Sequence, residues 1–423
     1  MKNNSVERVG NDFFVLRGAG AVVQFTNNKG ADVNFSTTST LKSGDLRIVP
    51  WGPNNLQPQD MLKLVFGNHI KPQLLLTSRD FLLGAGLGVF KRTAVGGKIV
   101  TEPVIDLEME AWLEAIDAPF LLNSSAFNLE YFGNHFTNIV LNSSKKVEDM
   151  VPFDCTMVRA QETLQRKPEN YYLHPDWANF KAADVVTRPA YDRKNPTKYG
   201  DFIHHGRDWT PGQKYYDLAA WWGTRKWTEV SNKIPLFHNS GLENGYNLKY
   251  HIKIPKDYFV QFGDKKAQEA AEDEIMAAMN EMLSGVENVD KAFVSKFGVD
   301  AQGKAIPGWS IEPIENKMSD KAYDSVNSQA NIAHTSGHGI DPSLAGIDTG
   351  SKLGGSGSEK RISYQLHIAL RTPTKRKILL EQFNVARKLM GFNPEHQFGF
   401  NDIEITTLAE TPKGQKEPAP LAN

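Results

Sequence analysis

The chain has 423 residues, 40% of them apolar and 23% charged, with a formal net charge of −1 at pH 7. That length exceeds what one hydrophobic core supports and predicts two or three subdomains, and the ordinary balance excludes global disorder. The near-neutral charge excludes a protein that coats nucleic acid by bulk electrostatics, but leaves room for a local basic face.

Residues 1–60 are rich in Gly, Asn, Ser and Thr and hold short β-like runs, FFVLRGAGAVVQF and LRIVPWGPNN. PWGPNNLQPQDM reads as a loop feeding a helix, with Asp60 in the first turn, where the helix dipole favours an acid. MLKLVFGNHI and PQLLLTSRDFLLGAG follow as a pair divided at Pro72. DLEMEAWLEAI at 106–116 is an amphipathic helix, and FNLEYFGNHFTNIVLN begins as helix and ends as strand. From 146 to 212, short strands separated by Pro, Asp and Asn predict a β-rich region with long surface loops.

PGQKYYDLAAWWGTRKWTEVSN resumes helical spacing through Tyr215, Leu218 and Trp222, weakened by Gly223, and KIPLFHNSGLENGYNLKYHIKIP reads as strand, turn, strand. DKKAQEAAEDEIMAAMNEML at 264–283 carries the strongest helical signal, with Ala267, Ala271, Ile275, Ala278 and Met282 in one stripe. It makes a rod of roughly 30 Å whose alanines suit close packing between neighbouring chains. The segment 291–315 reads as a β-hairpin turning at Asp300–Gly303, and SDKAYDSVNSQANIAH as a helix capped by Ser319 or Asp320. ISYQLHIAL leaves strand and helix open. TKRKILLEQFNVARKLMGF is a helix with Leu379, Phe383, Ala386 and Met390 on one face and Gly391 at its end. The tail ETPKGQKEPAPLAN is Pro- and charge-rich and is expected to be disordered. There is no internal repeat of 20–50 residues.

Cys155 is the only cysteine, so an internal disulfide and a cysteine zinc cluster within one chain are excluded, and a reducing compartment is expected. MKNNSVERVGNDF has no apolar h-region, so no secretory leader is expected. The apolar run FLLGAGLGVF is far shorter than the roughly 20 residues of a spanning helix. The expectation is a soluble protein made in the cytoplasm.

The chemistry-like residues cluster in Ala330–Arg361, ANIAHTSGHGIDPSLAGIDTGSKLGGSGSEKR. His334 and His338 have the i, i+4 spacing of paired metal ligands, but Gly337 and Gly339 place the helix end near His334, and ordinary hydrogen-bonding histidines are the simpler reading. His204 and His205 fall on opposite faces of a strand. Gly346, Gly350, Ser351 and Lys352 have the wrong order and spacing for a P-loop. GAGLGVF follows a helix rather than a strand, and GGSGSEK is not a nucleophile elbow. No catalytic, cofactor-binding or metal-binding residue is assigned. Between Glu359 and Gly391, Lys360, Arg361, Arg371, Lys375, Arg376, Lys377, Arg387 and Lys388 face only Glu359 and Glu381, so this stretch is either a solvated basic face or a phosphate-contacting one.

The order of elements in the C-terminal half resembles that of the portal proteins of tailed bacteriophages. The match runs from the helix at 264–283 through MLSGVENVDKAFVSKF and GWSIEPIE to AYDSVNSQANIAH and SGHGIDPSLAGI. There the family's Gly-Ile/Val-Pro-Pro-x-Leu-Gly turn appears as GIDPSLAG, with Asp341 in place of the first Pro, and GGSGSEKR and TPTKRKILLEQFNVARKLMGF complete the series. The resemblance covers about 250–410, while residues 1–150 match only in general order.

It implies an α+β portal-like fold with a mixed α/β wing, long stem helices, a small β clip and a helical C-terminal crown. The wing would comprise 1–212 and 285–345, the latter with a tunnel helix, and the stem 213–233 and 257–284. The clip would be 234–256, the crown 346–410, and 411–423 a disordered tail. It further implies a non-enzymatic homo-oligomeric ring of about twelve subunits at one capsid vertex, without cofactor or membrane, through which double-stranded DNA is packaged and ejected. Its partners would be the terminase large subunit, a head–tail adaptor and the major capsid protein, in a virion assembled in the bacterial host cytoplasm. DNA-facing positions would be Lys317 and Lys321 ahead of the tunnel helix, and Lys352, Lys360, Arg361, Lys375, Arg376 and Lys377 in the basic region. The alanine-rich rod and the near-neutral charge agree with a conduit, since DNA that must slide should meet few tight phosphate contacts. On this reading His334–Gly339 is a helix C-terminus, GIDPSLAG a Pro-fixed turn and TGSKLGGSGSEK a flexible connection. The alternatives are a nucleic-acid-processing or hydrolytic enzyme using His334 and His338, and another phage head structural protein such as a head–tail adaptor.

Overall fold

The computed structural model describes residues 6–9, 13–16, 21–24, 40–164, 167–244, 250–253, 258–283, 310–313, 322–347 and 357–403. The chain divides into two units, Met1–Thr228 with Asn331–Asn423, and Glu229–Ala330.

The first unit opens with an antiparallel sheet of β1 (Val6–Val9), β2 (Phe13–Leu16) and β3 (Ala21–Gln24), followed by the hairpin of β4 (Leu41–Ser43) and β5 (Leu46–Ile48). The loop after β5 turns on Asn55, whose side chain accepts the Trp51 N–H at 3.0 Å. It delivers α1 (Gln57–Phe66), with Asp60 in the first turn as the sequence predicts. In α2 (Lys71–Leu83), Asn68 Oδ1 accepts the N–H groups of Ile70 and Lys71 at 3.0 and 2.9 Å, and Pro72 sits in the first turn, where its missing donor costs nothing. β6 (Leu87–Val95) and β7 (Lys98–Pro103) form a hairpin, and α3 (Leu107–Ala115) is capped by Asp106, which accepts the Met109 N–H. α4 (Ala118–Phe132) ends at Gly133, where φ is 72° and an added Cβ would lie 2.7 Å from the Leu218 carbonyl carbon. Only glycine fits both constraints, and the chain passes at once into β8 (Asn134–Leu141).

The β-rich region follows as β9 (Val147–Phe153), β10 (Val158–Ala160), β11 (Asn170–Leu173), β12 (Val186–Pro189) and β13 (Asp201–Arg207), in antiparallel sheets ordered β13-β8-β9 and β10-β11-β12. Neighbouring strand residues point to opposite faces, and Phe202 and Ile203 accordingly enter different cores.

Two expectations fail beyond β13. Residues 213–219 are not helical. A 3₁₀ turn at Ala220–Thr224 leads into α5 (Arg225–Asn244), so the helix expected from 213 begins only at 225. The reason is tertiary: the Tyr216 hydroxyl donates to the Val49 carbonyl at 2.8 Å and accepts the Ala160 N–H at 2.7 Å, and Tyr215 brackets both backbone groups of Thr163. The strand expected at KIPLFHN lies within α5, which carries Pro235 inside it; a short apolar run does not distinguish strand from helix by periodicity.

In the second unit β14 (Tyr250–Lys253) precedes α6 (Lys265–Leu283), the helix expected at 264–283. Of the expected hairpin at 291–315, only β15 (Ser310–Pro313) is among the described residues, and it pairs with β14. α7 (Ala322–His338) follows, and its expected caps Ser319 and Asp320 lie outside the described residues.

α7 continues through His338 rather than ending near His334. Gly337 is helical, and Gly339 takes the left-handed turn with φ of 64°. The expected Pro-fixed turn is a single helical turn, α8 (Pro342–Ala345), capped by Asp341 and closed by Gly346. ISYQLHIAL is helical within α9 (Gly357–Arg371). α10 (Pro373–Met390) ends at Gly391, and β16 (His396–Phe400) pairs antiparallel with β6.

The core of the first unit lies on both sides of the β13-β8-β9 sheet. One side gathers Ile139, Phe202, Leu121, Leu129, Trp112, Leu379, Phe383 and Phe398. The other gathers Phe136, Ile203, Trp51, Met61, Tyr171, Tyr216 and Trp221. Leu379, Phe383 and Ala386 are completely buried, as their spacing in α10 predicts. The stretch 346–410, set apart by the sequence as a separate region, therefore lends α10 and β16 to the core of the first unit.

Candidate functional site

The basic residues chosen from sequence do not form one surface. Lys317, Lys321 and Lys352 lie outside the described residues. Lys375 and Arg376 are engaged within the first unit. Lys375 Nζ is 2.7 Å from Glu130 Oε1, and Arg376 donates to the Leu82 carbonyl while pairing with Asp402 at 2.7 Å. Both belong to the inward half of α10, where the same helical turn that buries Leu379 directs them onto α2 and α4. Lys360 and Lys377 are exposed, and Arg361 is half-buried.

The histidines are structural in their surroundings. On β13, His204 lies beside His135 with ring centroids 6.0 Å apart, while His205 bonds the Tyr171 hydroxyl and Asn134 at 3.0 Å each. Burial holds His135 down to about 3 and His204 to about 4, and pushes His205 well below its ordinary value. His334 is completely buried, both ring nitrogens lack a hydrogen-bond partner, and burial lowers its pKa to about 3. His338 Nε2 faces the Nζ of Lys71 at 3.2 Å. Among the described residues no three His, Cys, Asp or Glu side chains converge as metal ligands, and no helix is long and apolar enough to cross a membrane.

Lys71 is the residue that sequence reasoning missed. It is wholly buried at the start of α2, where its Nζ donates to Thr224 Oγ1 at 3.3 Å and stands 4.7 Å from the Trp221 ring centroid. Burial lowers its pKa to about 7. The only sequence trace is the Asn68 cap three residues ahead; a lysine at a helix start ordinarily points to water.

No family model and no curated protein matches the chain. Solved structures do. A chain in the virion of a native gene transfer agent particle matches with a TM-score of 0.55 at 13% identity, covering 84% of this chain and 86% of that one. Chains in the neck of the native particle, computed with C12 symmetry, and of the empty particle, computed with C6 symmetry, each match with a TM-score of 0.51 over 88% of both chains, at 14% and 12% identity. The chain shares the fold of these virion and neck chains. An HK97 family phage portal protein from Corynebacterium diphtheriae has a TM-score of 0.37 at 8% identity, covering 78% of this chain and 91% of that one, and carries no argument. Lys71, Lys375 and Arg376 turn inward onto partners within the first unit, and Lys360 and Lys377 are exposed.

Proposed function

We propose that the chain is a portal or connector subunit, a non-enzymatic part of a phage-type particle that assembles as a homo-oligomeric ring around passing double-stranded DNA. The observation that carries this reading is the fold shared with neck chains over 84–88% of the length. The sequence resemblance over about 250–410, drawn from the order of short motifs, agrees with it. About twelve copies, a virion location, and docking of terminase, a head–tail adaptor and the major capsid protein belong to the same proposal. In it 213–233 and 257–284 supply the stem and 234–256 the clip, into which α5 runs as far as Asn244, and 1–212 with 285–345 the wing; the crown is 346–410, with α10 seated in the core of the first unit. Lys360 and Lys377 are the described, exposed members of the basic set proposed to face DNA.

Native mass spectrometry with negative-stain class averages tests the reading. Closed rings of about twelve copies around a central hole are expected. A protein that stays monomeric even when co-expressed with its capsid protein overturns it, and stoichiometric metal on that monomer would favour the hydrolytic alternative at His334 and His338.

A further inference from the structure

The chain leaves the first unit through α5 and returns to it through α7, and the first-unit ends of both helices are fastened at one half-buried point. Thr224, at the entry to α5, accepts from Lys71 Nζ at 3.3 Å and donates to the Trp221 carbonyl at 2.8 Å. Gly337, near the end of α7, lies so close that an added Cβ would come within 2.6 Å of Thr224 Cγ2. His338 stacks on Trp221, with centroids 6.4 Å apart and planes 12° from parallel, and meets the same Lys71 Nζ at 3.2 Å.

Among the described residues the ionisable groups that act on this point are all bases. Lys71, Lys375 and His334 act on His338, and Lys71 and His69 act on His334; Lys375 is already paired with Glu130. Arg371 adds a further cation, at the end of α9, beside Gly339.

A lysine–histidine pair without a carboxylate holds its hydrogen bond with no shared proton or with one. The ammonium donates to the neutral ring, or the neutral amine accepts from its N–H. A second proton leaves two donors and two like charges facing each other in a site of low polarity, so the contact breaks.

We propose that Lys71, His338 and Thr224 form an acid-released latch that holds the first turn of α5 and the last two turns of α7, closed at neutral pH and opened when His338 takes up the second proton. The latch acts within one subunit and does not depend on ring assembly.

Hydrogen exchange of the full chain from pH 7.5 to 5, expressed as protection factors, tests it. Amides at 224–228 and 331–338 should lose protection about tenfold per pH unit once the second proton binds, because opening is then linked to one proton. Amides of α4, which follow global stability, should stay better protected than the latch amides at every pH, which separates local release from global unfolding. In His338→Gln the side-chain carbonyl still accepts from the Lys71 ammonium but does not titrate, and the pH slope should vanish. A wild-type slope in His338→Gln overturns the latch, as does protection at 224–228 and 331–338 that equals that of α4 at every pH. Should that variant not fold, the ring signals of ¹³C-labelled His338 in the unaltered chain give the answer. Titration in step with amide release supports the latch, and titration near 6.5 without release overturns it.

Discussion

At the residue scale, the cations of α10 separate by burial rather than by sequence. Lys375 and Lys377 are two apart on a helix and so face different sides. One closes on Glu130, whose side chain is 7% exposed, and the other meets solvent. Lys375→Met leaves a nearly buried carboxylate without its partner and should cost about 1–3 kcal/mol, read as a lower urea midpoint. Lys377→Met should stay within about 0.5 kcal/mol. On the proposed function it should instead weaken DNA retention in assembled rings and flatten its salt dependence. Lys71 has the opposite character. Its folded value of about 7 lies below the ordinary 10.5, so the unfolded chain binds more protons in that interval and stability falls as pH drops from 10.5 toward 7.

At the element scale, α10 decides whether the C-terminal region is an appendage or part of the core. Phe383 is completely buried beside Phe398, with ring centroids 6.0 Å apart, and Gln382 bridges Thr137 on β8 and Ser125 on α4. Phe383→Ala should cost about 3–5 kcal/mol in the unfolding of the whole first unit, measured by denaturant titration of its tryptophans. An independent crown would instead lose its own transition and leave the first unit unchanged. The same helix shows how far periodicity carries: of the sequence stripe Leu379, Phe383, Ala386 and Met390, the first three are completely buried and Met390 is half-buried. α5 shows where it stops, because Ile234 and Leu236 alternate as in a strand and yet lie on a helix.

At the scale of the whole molecule, His135, His204 and His334, which are buried, and His205 and His338, which are half-buried, shape the response to acid. His135 and His334 are held at about 3, His204 at about 4, and His205 and His338 well below the ordinary range, chiefly through burial. Each is neutral in the folded chain and takes a proton on unfolding below about 6.5. Their contribution is therefore complete above that pH and is lost as pH falls from about 6.5 toward 4, by up to about 1.4 kcal/mol per pH unit for each group. Urea midpoints should drop steeply between pH 7 and 5, before the carboxylates titrate. A midpoint unchanged over that interval would show the rings to be solvated. His135, His204 and His205 owe this to the depth of the β13-β8-β9 sheet between two cores, and His334 and His338 to the packing of the end of α7.

The sequence by itself determined what depends on local physics. The helices with long stripes or clear caps are legible at 106–116, 264–283 and from 374 to Gly391, as are the divider at Pro72, the left-handed ending at Gly391, and the order of motifs that resembles a portal. Tertiary structure alone decided what depends on partners distant in the chain. Tyr215 and Tyr216 left a helical pattern because their hydroxyls found backbone partners at Thr163, Val49 and Ala160. Lys375 and Arg376 left the basic face for Glu130, Leu82 and Asp402. Lys71 and His338, 267 residues apart, met in a half-buried site. Periodicity reports which face of an element is apolar, but not which polar group will be closed in with it, because burial is set by the neighbours that the fold brings.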